Sequence, residues 1–124
     1  MKAYSYHFIF DDNTQYRDLL PVFPDILKII LAENDHFQSQ EDEENREMFI
    51  AMNMYDLEEN RKPEGYNRKG KYRLIFPMDR KEMYVRTFVG KANDVRRIGE
   101  KISEMLSTAH VKFTSAENDN IAFD

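Results

Sequence analysis

KYRLIFPMDRKEMYVRTFVG, residues 71–90, reads as two strands that fold back on one another. Apolar residues alternate through 71–78, a β-rich run follows over 82–90, and Asp79, Arg80 and Lys81 supply the polar turn between them. Pro77 lacks a ladder donor, which places it at a strand end or on an edge. If Tyr72, Leu74, Phe76 and Met78 point toward a core, then Lys71, Arg73, Ile75 and Pro77 occupy the opposite face, where the second strand offers Tyr84, Arg86 and Phe88.

Downstream of the hairpin, Val95, Ile98, Gly99, Ile102, Met105, Leu106 and Ala109 recur at helical spacing, with charged residues between them. The spacing predicts an amphipathic helix over 93–109, begun by Asn93 or Asp94, with Gly99 allowing close approach to a sheet. GlyLysAlaAsnAsp, 90–94, reads as an ordinary capped turn, since Asp94 would repel an anion at that helix end. A short strand at 111–115 follows, and a loose acidic end is expected from about 116.

Upstream, 56–70 is a polar loop punctuated by Pro63, Gly65 and Gly70. Residues 48–55 place Met48, Ile50, Met52 and Met54 on one face as a strand, the reading adopted here, with its methionines filling the core. A long helix over 40–59 competes with it. The acidic run 41–47 is read as a solvated connection or a first helical turn capped by Ser39. Residues 24–33 form a helix opened by Pro24, apolar around most of its circumference and so buried. Asn13 or Thr14 caps an earlier helical piece that Pro21 interrupts. Tyr4, Tyr6, Phe8 and Phe10 alternate with Ser5, His7 and Ile9 as a half-buried strand.

The order β, α, β, β, β, α, β gives an α+β domain: an antiparallel sheet of about five strands with two helical segments on one face, a variant of the ferredoxin-like sandwich. A chain of 124 residues suits one such domain. It has no cysteine, which excludes disulfides, thiolate metal sites and a cysteine nucleophile. The N-terminal run carries no signal-peptide pattern, and the apolar stretch at 26–32 is shorter than a membrane span, so a cytoplasmic protein is expected.

The net charge of −5 conceals a division. Residues 1–60 hold 4 Lys/Arg against 14 Asp/Glu, and residues 61–101 hold 13 against 5. Two binding surfaces follow from that division. Arg61, Lys62, Arg68, Lys69, Lys71, Arg73 and Arg86, interleaved with Tyr84 and Phe88, have the cations and rings that single-stranded RNA or DNA requires. Glu41, Asp42, Glu43 and Glu44 form an acidic segment that could dock a basic partner. His7, His36 and His110 show no metal-ligand spacing and no adjacent nucleophile motif, and neither metal nor cofactor is expected. The leading expectation is a non-enzymatic protein that acts on a protein partner as an inhibitor or accessory factor. Nucleic-acid binding is the alternative, an enzyme with a site hidden in sequence comes third, and the open sheet face is a candidate homodimer surface.

Overall fold

The computed structural model describes residues 3–34, 40–68 and 70–117, with the side chains of 40–43 left aside. Within them the chain forms β1 (Tyr4–Phe10), α1 (Phe23–Glu33), α2 (Gln40–Glu58), β2 (Arg73–Ile75), β3 (Glu82–Thr87), α3 (Ala92–Thr108) and β4 (Phe113–Glu117). Every neighbouring pair in the sheet is antiparallel, in the order β2-β3-β1-β4. The result is α+β: four antiparallel strands with three helices gathered on one side.

The central strand β1 divides its residues by alternation. Tyr6, Phe8 and Phe10 enter the core with Leu74, Phe76, Met83 and Val85, while Ser5 and His7 turn the other way. Above the core ring layer lie Ile26, Leu27, Ile30 and Leu31 of α1 and Val95, Ile98, Ile102 and Leu106 of α3. Gly99 sits over the Tyr6 ring, where any Cβ would collide with it. Two ion pairs fasten α3 at its polar margin, Arg97 to Glu33 at 2.7 Å and Arg96 to Glu117 at 2.7 Å.

The strand expected at 48–55 is instead the second half of α2, and the sheet has four strands, not five. Leu57 and Asn53 are buried on this helix and Phe49, Ile50 and Met54 lean on the core, whereas Met48 and Met52 are exposed. Strand pairing would have needed a free sheet edge and polar satisfaction along eight residues. The helix satisfies its own backbone and needs only one buried stripe. The proposed cap at Ser39 lies outside the described residues.

Smaller corrections have similar local causes. The early helical piece is a single 3-10 turn, Tyr16–Leu19, in which Asp18 accepts the Gln15 amide at 2.9 Å. Thr14 caps nothing: its hydroxyl donates to the Lys112 carbonyl at 2.9 Å. α1 starts one residue before Pro24. β4 runs two residues past the expected strand, to Glu117, and the end beyond it lies outside the described residues. Met78 does not face the core but is exposed beside the hairpin turn.

The 59–72 connection is pinned by two asparagine side chains. Asn53 of α2 accepts the Gly65 amide at 2.7 Å and donates to the Gly65 carbonyl at 3.1 Å. Asn34, at the end of α1, accepts the Tyr72 amide at 2.8 Å and donates to its carbonyl at 2.8 Å. Gly65 has a φ of 72°, and a side chain there would strike the Leu74 carbonyl. Tyr66 then pairs with Leu74 through backbone bonds of 2.8 and 3.0 Å, continuing the sheet edge.

Two substitutions test this framework by urea unfolding. Gly99→Ala should cost about 1–3 kcal/mol by overpacking on Tyr6. Asn53→Ala should cost about 1–3 kcal/mol, because it strips two partners from a buried backbone segment.

Candidate functional site

The sheet face away from the helices is organised in rows by strand register. Arg73, Arg86 and Ser5 form one row, and Ile75, Tyr84, His7 and Ala116 the next, with Glu82 and Ile9 beyond. Only part of this face is accessible. Ser5, His7, Ile75, Glu82 and Tyr84 are buried, and the Tyr84 ring lies 4.7 Å from the His7 ring. Tyr84, expected as an open ring for stacking, is therefore closed off.

Within the buried rows runs a chain of polar contacts. The Ser5 Oγ lies 2.7 Å from His7 Nε2, His7 Nδ1 lies 2.8 Å from Glu82 Oε2, and Arg80 Nε donates to Glu82 Oε1 at 2.8 Å. A carboxylate only accepts, so Nδ1 carries the proton and Nε2 accepts from the serine hydroxyl. Burial pushes the His7 pKa below 6.5, against the pull of Glu82, and Arg80 adds to the lowering. The order serine, histidine, carboxylate is that of an activated nucleophile. Access decides against that role: Ser5 is 3% exposed, and its hydroxyl is directed at the fully buried His7 ring on the face away from the helices. The sequence reading missed this chain, because Glu82 is 75 residues from His7 and only the β1–β3 register brings them together.

At one end of the face the predicted basic residues do meet. Lys71, Arg73, Arg86 and Phe88 surround a hollow of about 80 Å³. Arg73 and Arg86 are directly cross-strand, Arg73 donates to Asn67 Oδ1 at 3.1 Å, and the Arg86 guanidinium stacks 4.8 Å from the Phe88 ring centre. The other predicted cations are engaged elsewhere. Arg61 bonds Asp56 at 3.0 Å, Lys62 donates to the Phe76 carbonyl at 3.2 Å, and Arg68 pairs with Glu64 at 3.3 Å while lying over Phe49. Lys69 lies outside the described residues.

The acidic segment falls in the opening turns of α2, where Glu44 is exposed. The same helix exposes two methionines that the sequence reading assigned to the core, together with Tyr55. Met48, Met52 and Tyr55, spaced at i, i+4 and i+7, are 49%, 45% and 58% exposed. Arg61 stacks 5.4 Å from the Tyr55 ring centre, and an open depression of about 440 Å³ lies among Ala51, Met52, Tyr55, Asp56 and Arg61. The helical spacing of these three residues was the available signal, hidden by the choice of strand. A second open depression, also about 440 Å³, lies between Pro21, Asp25, Lys101 and Met105 and gathers none of the candidate residues.

Among the described residues no three His, Asp or Glu side chains gather as a metal-binding group, and no helix is long and apolar enough to cross a membrane. His110 is exposed at the end of α3, and His36 lies outside the described residues. No protein-family model, curated protein or solved structure matches the chain.

The buried His7 has a pH consequence. Its folded pKa is below the ordinary 6.5, so protonation favours the unfolded chain, and its stabilising contribution is complete above pH 6.5 and lost as pH falls below it. The slope from this one proton is at most about 1.4 kcal/mol per pH unit. Urea unfolding between pH 7 and 5 should show this loss, and His7→Gln should flatten it. Imidazole NMR should find His7 titrating below the ordinary 6.5.

Proposed function

We propose that this is a non-enzymatic binding protein that acts through a protein partner, as an inhibitor or accessory factor in the cytoplasm, and that α2 is its docking element. The observation that carries the reading is the exposed Met48, Met52 and Tyr55 stripe on an otherwise acidic helix. Exposed apolar side chains at i, i+4 and i+7 form the continuous ridge that a second helix packs against. Methionine is suited to such a ridge because its unbranched, polarisable side chain repacks around different contours.

Charge selects the occupant. α2 holds Glu41, Asp42, Glu43, Glu44, Glu47, Asp56 and Glu58 against the single cation Arg46. A basic amphipathic segment of the partner complements both the ridge and its rim, and the charge supplies steering and orientation while the apolar contact supplies the affinity. Single-stranded nucleic acid is the weaker reading, since Tyr84 is buried and Arg61, Lys62 and Arg68 do not line up with Arg73 and Arg86. The scaffold reading that goes with this function is a ferredoxin-like variant, supported by the strand order β2-β3-β1-β4 and by the α3 crossover between β3 and β4. The helical insertion before β2 is what adds the docking element.

The test is calorimetric titration with an 18-residue Leu/Lys amphipathic peptide, alongside the double variant Met52→Ser, Tyr55→Ser, whose residues are surface-exposed. Saturable binding that weakens about tenfold or more in the variant is expected. Absence of binding, or equal binding by the variant, would remove α2 as the docking element. Sedimentation of the protein alone reports whether a second copy already occupies the ridge, which would replace the foreign partner by self-association.

A further inference from the structure

We propose that the outer edge of β4 is a docking surface for a second copy of this chain, the two β4 strands pairing antiparallel about a two-fold axis at Ser115 and joining both sheets into one. This surface is separate from the α2 ridge and does not depend on it.

The first support is the contrast between the two outer strands of the sheet, β2 and β4. The β2 edge is closed: the strand has three residues, and Tyr66 bonds Leu74 on its outer side at 2.8 and 3.0 Å. β4 has five residues, FTSAE, with no proline or lysine among them to discourage pairing. Among the described residues no strand lies beyond it. α3 packs chiefly on β1 and β3, which leaves room beside β4 on the helix side.

The second support is the direction of the backbone groups. Asp11 donates to the Lys112 carbonyl at 3.1 Å, and further along the same ladder Ile9 faces Thr114 and His7 faces Ala116. Bonded pairs recur at every second residue of an antiparallel ladder, so Thr114 and Ala116 direct their amides and carbonyls at β1. Phe113, Ser115 and Glu117 turn theirs outward. An axis at Ser115 sets Phe113 against Glu117 of the second copy and Ser115 against its own counterpart, which forms about six backbone hydrogen bonds.

The side chains favour a second copy in this register. Lys112 precedes the strand and Glu117 ends it, so antiparallel self-pairing brings unlike ends together, whereas parallel pairing would set like against like. Arg96 holds the Glu117 carboxylate at 2.7 and 3.0 Å, which keeps that side chain on the helix side, clear of the pairing backbone. Thr114 meets Ala116 of the second copy on the opposite face, and no like charges are opposed. Moving the axis to Glu117 would oppose two carboxylates, which disfavours that register.

The experiment is sedimentation velocity of the parent and three variants over a range of concentrations. The parent is expected to be a reversible dimer. Ser115→Pro removes an outward amide donor that a single copy does not use, and Ser115→Lys, at an exposed position, opposes two cations on the axis. Each should raise the dimer dissociation constant by about tenfold or more. The Met52→Ser, Tyr55→Ser double variant should leave the dimer unchanged, which separates this edge from the α2 ridge. The proposal is overturned if the parent stays monomeric at every concentration, which would leave the edge to a foreign strand. It is equally overturned if the dimer persists in Ser115→Lys, or if it is lost in the α2 double variant. Should Ser115→Pro lose its folded circular dichroism, Ser115→Lys decides the matter alone.

Discussion

The close approach of α3 to β1 at Gly99 is the constraint on which the remaining packing depends. A glycine there lets the helix backbone lie directly on the Tyr6 ring, and that separation sets how deeply Ile98, Ile102 and Leu106 reach between the aromatic residues of the central strand. β1 is paired on both sides, so its pleat propagates into the other strands. Once Tyr6 and Phe8 are committed to the helix side, Ser5 and His7 are committed to the other. The core and the buried polar chain are thus two consequences of one alternation.

Charge works at two levels in this molecule. Across the halves of the chain, Glu33 with Arg97 and Asp56 with Arg61 join acidic to basic segments, which consumes part of the opposition visible in the composition. These pairs are solvent-exposed and contribute little stability individually. The Ser5, His7, Glu82 and Arg80 chain is different, because burial makes each unmade contact costly and so ties the β1–β3 register to one arrangement.

Sequence pattern was reliable where a single physical reading was available. The α3 heptads of apolar residues, the β1 alternation and the hairpin at 71–90 correspond to elements in the structure, because each has one face buried and one exposed, and its period follows directly. It was misleading at 48–55, where four apolar residues at every second position also fit a helix with three of its residues outside the core. Periodicity presumes that apolar means buried. Met48, Met52 and Tyr55 break that presumption, so the element with the strongest claim to a function was the one whose pattern was least legible.

The candidate sites divide along the same line. Sequence alone determined that the basic residues gather in 61–101 and the acidic ones before them, that cysteine chemistry is absent, and that Arg73, Arg86 and Phe88 share one face of a hairpin if its register is right. Tertiary structure decided which of those residues meet. It closed Tyr84 against His7, diverted Arg61, Lys62 and Arg68 to other partners, and paired His7 with a glutamate far along the chain. The reason is physical: residue type and spacing fix what a side chain can do and which face of its own element it occupies. Burial and partnership arise only when separate elements pack, and no local pattern contains the distance between them.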